Sequence, residues 1–206
     1  MPYETIVVGM METNCYLVFC GETKECVVVD PGAGEKKILS RIREDDLKPV
    51  LLVNTHGHID HIGANKDILD NFDIPLCIHV SDKELLENAG RSELRFFLAA
   101  KESPPPDRFL KDQEVIEFGR SSLKVIHTPG HSEGSISMLE KEFLLSGDTL
   151  FCSGVGRTDL PGGNWEKLEQ SIREKIFVLP DDTVVLPGHG PMTTVGREKR
   201  SNPFIR

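Results

Sequence analysis

Residues 49–61 read Pro49-Val50-Leu51-Leu52-Val53-Asn54-Thr55-His56-Gly57-His58-Ile59-Asp60-His61. The first part is a continuous apolar run, the pattern of a strand buried on both faces. The second part packs three histidines and an aspartate into six residues. A solvated turn has no reason to concentrate these side chains, whereas imidazole and carboxylate are the usual non-thiolate ligands of zinc. The His-x-His spacing lets two imidazoles converge on one ion from the end of the strand. Asp60 and His61, at the approach to the next helix, turn toward a different point. The stretch therefore reads as a strand-end turn able to address two neighbouring metals.

Upstream of it, TIVVG, NCYLVFC and ECVVVD are short β-rich runs separated by turn residues, as in an antiparallel meander, and the last ends in DPGAG. GEKKILSRIREDDL spaces Ile38, Leu39, Ile42 and Leu47 for one helical face. Downstream, a helix is expected from near Gly63 to Phe72, then the strand LCIHV. Ser81 reads as an N-cap with Glu84 three residues later, opening a helical stretch to Lys101 that SPPPDRF cannot continue. The second half repeats the alternation with EVIEFG, LKVIH, SISMLE and FLLSGD, a glycine-rich loop from Cys152 to Asn164, a helix near Trp165–Phe177 and the strand TVVLP. No linker or low-complexity segment divides the chain. The pattern predicts one domain over residues 1–206, mixed α and β, with two sheets packed together and flanked by helices.

The 206 residues fall within the size of one domain, and a formal net charge of −9 lacks the basic footprint of a protein that grips nucleic acid. Five cysteines, an odd number with no CxxC pair, suit a reducing compartment. The start MPYETIVVGMMETN lacks a basic region followed by an apolar run, and no apolar stretch nears the roughly 20 residues that span a bilayer. A cytoplasmic protein acting on a small molecule, with no membrane or nucleic-acid partner, is expected. Composition and pattern carry no statement about oligomeric state.

Three further residues of metal-ligand type stand at strand ends beside glycine, where a backbone can turn sharply. His131 lies in Thr128-Pro129-Gly130-His131-Ser132, Asp148 follows FLLSG, and His189 lies in Leu186-Pro187-Gly188-His189-Gly190. With the first cluster they make a set of seven. His79 and His127 read as structural, His127 in a place to hydrogen-bond a ligand loop. Cys152 reads as a small loop or core residue, and Ser201-Asn202-Pro203-Phe204 as packing. Arg157 and Asp159 either pair to brace the glycine-rich loop, or Arg157 meets an anionic substrate.

The stretches TNCYL, VVVDPG, THGHIDHIGAN, HTPGHSEGS, SGDTLFCSGVGRTDLPGG and LPGHGP, in this order, resemble the metallo-β-lactamase superfamily and, within it, the hydroxyacylglutathione hydrolase (glyoxalase II-like) group. The resemblance implies a four-layer αββα sandwich, an α/β (α+β) fold, with the metals at one edge of the two sheets. It assigns His56, His58 and His131 to one metal, Asp60, His61 and His189 to the other, and Asp148 to both. It implies two zinc ions, with iron or manganese as substitutes, and hydrolysis of a thioester by a metal-bridging hydroxide, in which Asp60 and Asp148 are the catalytic candidates and Asp60 orients the hydroxide. The chain ends about fifteen residues after His189, so it resembles a short form without the C-terminal helical region that contributes to glutathione binding in the full-length enzymes. The competing reading is a mononuclear-iron persulfide dioxygenase of the same fold, using the equivalents of His56, His131 and Asp148. A non-catalytic metal-binding protein would call for a degenerate site, and none of the seven positions is degenerate.

Overall fold

The structure, a computed structural model, describes residues 1–89, 97–98 and 100–205. Six strands form the first sheet in chain order: β1 (Tyr3–Val8), β2 (Thr13–Phe19), β3 (Glu25–Val29), β4 (Lys48–Val53), β5 (Leu76–His79) and β6 (Arg108–Leu110). β1 to β3 are the expected antiparallel meander, joined by tight turns. From β3 to β6 every pairing is parallel. Parallel neighbours need crossovers, and these carry α1 (Glu35–Glu44), α2 (Ile59–Ile62), α3 (Asn65–Asn71) and α4 (Lys83–Ala89).

The second sheet is built from β7 (Val115–Phe118), β8 (Ser121–His127), β9 (Ile136–Leu139), β10 (Phe143–Gly147), β13 (Val184–Pro187) and β14 (Thr193–Thr194), in the order β14-β13-β10-β9-β8-β7. A two-stranded hairpin, β11 (Leu150–Phe151) and β12 (Gly154–Val155), stands apart. The helix α5 (Trp165–Ser171) lies in the crossover between the parallel pair β10 and β13, and α6 (Val195–Ser201) follows β14.

Side-chain alternation sorts the core into layers. Val27, Val29, Leu51 and Val53 of the first sheet meet Val125, Met138, Leu145 and Leu186 of the second in a central apolar layer. The opposite face of the first sheet, with Val28, Leu52 and Ile78, is covered by Ile38 and Ile42 of α1, Ile68 of α3 and Leu86 of α4. The opposite face of the second, with Ile126, Leu144 and Val185, is covered by Leu168 of α5, Ile172, Ile176 and Val195. The result is a four-layer αββα sandwich. β4 lies inside the first sheet with a packed layer on either side, which is why PVLLV contains no polar alternation. No helix among the described residues is long and apolar enough to cross a membrane.

Four local expectations change. The helix expected from near Gly63 to Phe72 is α3, but the approach to it, expected as a turn, is itself a single helical turn, α2, which contains Asp60 and His61. Leu47 is buried but lies past the end of α1, after a left-handed Asp46 (φ 52°). Ser81 is not a helix cap: residues Val80–Asp82 form a 3-10 turn, and His79, extended at the strand end, accepts the Ser81 N–H on Nδ1 at 3.3 Å. α4 then begins at Lys83, and the expected continuation over residues 90–96 lies outside the described residues. The Trp165–Phe177 helix widens into a π turn over Ile172–Ile176.

Candidate metal centre

All seven sequence-predicted ligands come together at one edge of the sandwich. β4 ends at Val53, so residues 56–58 form the loop into α2, and α2 turns Asp60 and His61 back toward it. The second sheet supplies the rest: His131 after β8, Asp148 after β10 and His189 after β13.

Two groups result. His58 Nδ1 and His56 Nε2 lie 2.8 and 3.3 Å from His131 Nε2. His189 Nε2 lies 3.2 Å from both His61 Nε2 and an Asp60 carboxylate oxygen. Each trio is close enough to share one ion. Asp148 stands between them, Oδ1 at 3.4 Å from His61 Nε2 and Oδ2 at 3.6 Å from both His131 and His189 Nε2. Gly188 permits this approach, because a Cβ there would collide with Asp148 Oδ1.

The remaining ring nitrogens settle where the protons sit. His131 Nδ1 faces the Arg157 carbonyl at 2.8 Å and His189 Nδ1 the Met11 carbonyl at 3.0 Å. His61 Nδ1 faces Asp30 Oδ2 at 3.0 Å. Thr55 Oγ1 gives its own proton to Asp30 and so accepts from His56 Nδ1 at 3.1 Å. Carbonyls and carboxylates only accept, so these four rings donate outward and turn Nε2 lone pairs into one space. Asp148 Oδ1 is buried there with no hydrogen-bond partner. A buried orphan carboxylate oxygen facing lone pairs fits a cation, and the nitrogen and oxygen donors suit zinc, iron or manganese.

The electrostatics divide the histidines. Burial, reinforced by His61 and His131, holds His56 well below the usual imidazole range, and burial with His131 holds His58 down to about 4. Burial acts the same way on His61, but the Asp148, Asp30 and Asp60 carboxylates outweigh it and raise that ring well above the range. His56 and His58 are thus neutral and ready to ligate, while an ion at His61 must displace a proton.

A cavity of about 460 Å³ opens onto five of the seven, all but the fully buried His56 and His61, and Met11, Ile59, Phe151, Val155 and Leu160 supply its apolar walls. Arg157 also lines it, and its guanidinium donates two 2.7 Å hydrogen bonds to Asp159. His127 donates from Nε2 toward the Glu133 carbonyl, in the loop after His131, and stacks on His79 with ring centroids 4.1 Å apart. Cys152 lies half-buried against Arg197. Asn202 of the tail is buried and donates to the Gly154 carbonyl at 3.1 Å.

Sequence reasoning missed the supports. Asp30, in the quoted VVVDPG, accepts from Thr55 N–H, Thr55 Oγ1 and His61. Asn14 and Tyr16, in the quoted TNCYL, donate to the Pro187 carbonyl at 2.9 and 2.7 Å and hold the turn that carries His189. Both motifs contained the signal, a polar residue inside or ending an apolar strand.

Residues 8–189 match the metallo-beta-lactamase superfamily. The chain is 38% identical over 209 residues to hydroxyacylglutathione hydrolase GloC of Haemophilus influenzae, covering all of this chain and 98% of that protein. It superposes on the BLEG-1 B3 metallo-beta-lactamase with a TM-score of 0.92 at 37% identity, over 99% of each chain. It superposes on TTHA1623, solved in a di-iron-bound form, with a TM-score of 0.90 at 37% identity, over 98% of this chain and all of that one. Fold, motif order and full-length likeness agree: the chain belongs to the metallo-beta-lactamase superfamily.

Proposed function

We propose that this protein is a binuclear metal-dependent hydrolase of thioesters such as hydroxyacylglutathione, working as one domain of residues 1–206 in the cytoplasm. The observation that carries the reading is the paired trio, with four outward-donating histidines and the orphan oxygen of Asp148 between them. His56, His58 and His131 would hold one ion, Asp60, His61 and His189 the other, and Asp148 would touch both. Two bound ions, zinc or the iron or manganese that the same donors accept, would supply water ionised near neutral pH and polarise a carbonyl. Asp60, in the lining of the cavity, can accept a hydrogen bond from that water and orient it. The apolar walls suit a small acyl or thiol group. Among the described residues of this lining Arg157 is the sole cation besides histidine, and Asp159 already holds it, so weak selectivity for the glutathione carboxylates is expected. The five free thiols fit a reducing compartment.

The likeness to GloC supports the thioester class, and the di-iron form of TTHA1623 supports two ions. A mononuclear-iron dioxygenase would use His56, His131 and Asp148 and leave four converging side chains without a role. The test is metal content of protein purified without chelators, together with hydrolysis of S-D-lactoylglutathione and of a truncated thioester. About two ions per chain and cleavage of both substrates are expected. A single tight iron, oxygen uptake with a persulfide and no thioester cleavage would replace the hydrolase with the dioxygenase.

A further inference from the structure

The H-x-H loop and the His131 loop come from different sheets, yet both lean on one side chain that the functional reading leaves unused. Asp82 lies in the 3-10 turn after β5 and is 1% exposed. Its Oδ2 accepts the Gly57 N–H at 3.0 Å and the Ser132 hydroxyl at 2.6 Å, and its Oδ1 accepts the Gly134 N–H at 2.6 Å. Gly57 separates His56 from His58, and Ser132 follows His131 directly. We infer that Asp82 is a positioning residue that ties the two loops of the first trio together and so sets the affinity of the first metal position without touching an ion. The inference rests on the metal-binding part of the proposed function and on nothing about its substrate.

A carboxylate taken out of water costs several kcal/mol, and an apolar residue would fill the same turn without that cost. What a carboxylate offers is acceptor capacity for several donors and no donor of its own. All three groups facing Asp82 donate. The Ser132 hydroxyl has one proton, given to Asp82, while Ser135 Oγ lies 2.7 Å away on its other side. The loops are pressed onto the turn and α4 after it: a Cβ at Gly57 would stand 2.8 Å from Leu86 N and 3.1 Å from Asp82 O, and one at Gly134 2.6 Å from Asp82 N. The second trio has its own support in Asp30, Asn14 and Tyr16, none of which bonds to Asp82. Asp30 reaches the first trio as well, through Thr55 Oγ1 and His56 Nδ1, whereas the bonds of Asp82 run to the loops of the first trio alone.

Asp82→Asn is the probe, because an amide must turn its N–H₂ toward one of three donors. Glu198→Gln is the control for burial alone: Glu198 is equally buried and accepts from Ser153 N–H, Thr193 Oγ1 and Asn202 Nδ2, remote from the ligands. Zinc affinity is measured by chelator competition in two backgrounds, His189→Ala, which spares the first position, and His58→Ala, which spares the second. In the His189→Ala background Asp82→Asn should weaken zinc about 10–100-fold, the usual cost of losing support behind a ligand. In the His58→Ala background zinc affinity should stay within about threefold, the context scatter of such measurements. Glu198→Gln should lower the urea midpoint of the metal-free protein and leave zinc affinity unchanged in both backgrounds. Equal weakening in both backgrounds, or none in the first, would overturn the inference. If Asp82→Asn does not fold, Ser132→Ala, which removes one of the three donors, should give a smaller loss confined to the same background, and its absence overturns the inference equally. A parent chain that binds no zinc removes the metal centre itself, whereas a parent that binds two ions with no selective loss removes only the role of Asp82.

Discussion

Asp30→Asn preserves the shape of a side chain that is 1% exposed and removes its charge. The carboxylate accepts Thr55 N–H at 2.7 Å, Thr55 Oγ1 at 2.6 Å and His61 Nδ1 at 3.0 Å. An amide has one acceptor oxygen, so whichever way it turns, an N–H₂ faces a donor. Turned toward Thr55 N–H it leaves a buried backbone donor unpaired. Turned toward His61 it favours the other tautomer, with Nδ1 accepting and the proton on Nε2, where His189 Nε2 stands 3.2 Å away. Hydrogen bonds to charged groups are worth about 1.5–3 kcal/mol each. Losing one and weakening another should lower the stability of the metal-free protein by about 2–4 kcal/mol. The tautomer change removes a lone pair from the second trio, so zinc there should bind about 10–100-fold more weakly, or about 1.4–2.8 kcal/mol. Urea unfolding of the metal-free protein and a chelator competition on the loaded protein read the two effects separately. Two ions bound with parental affinity to Asp30→Asn would refute the argument that Asp30 sets the His61 tautomer.

Asp148→Ala takes a carboxylate from both trios, and metal analysis with steady-state kinetics should show low metal content together with a large fall in kcat. Arg157→Ala should keep its metals, because the His131 contact is to the backbone carbonyl, and show only a small fall in melting temperature with KM little changed; a rise in KM with kcat preserved would instead assign the guanidinium to substrate. Burial and the stacked His127 hold His79 down to about 4, so the unfolded chain, with an imidazole near 6.5, takes up the proton first as pH falls. The parent should lose on the order of 1–2 kcal/mol between about pH 6.5 and 4 that His79→Gln does not lose, with no difference in slope above that window; parallel urea-midpoint profiles would remove this role.

The layer architecture and the strand β4 were legible because a strand covered on both faces must be apolar throughout, and Val50 to Val53 are. The seven clustered residues were visible because four are nearly consecutive and the others follow apolar runs beside glycine. The supports were harder. Asp82 reaches Gly57 across 25 residues and Gly134 across 52, and Tyr16 reaches Pro187 across 171, distances over which no periodicity is expressed. Ser81 shows a different limit: its capping pattern is real locally, but the strand ending at His79 fixes where the turn begins, so the histidine takes the cap. The widening at Ile172–Ile176, where Ile172 and Ile176 pack on the second sheet, is likewise marked by no proline, glycine or other helix breaker in the stretch.

The two sheets occupy successive parts of the chain, the first ending at Leu110 and the second beginning at Val115. His56, His58, Asp60 and His61 belong to the first part, and His131, Asp148 and His189 to the second, so neither half holds all of His56, His58 and His131 or all of Asp60, His61 and His189. An ion at either position is then a clasp between two contiguous fragments. Cut within the segment between β6 and β7, the protein should reassemble from its two pieces more tightly with zinc than without it, the fastening lying at the rim of the sandwich while the apolar layer supplies the hinge.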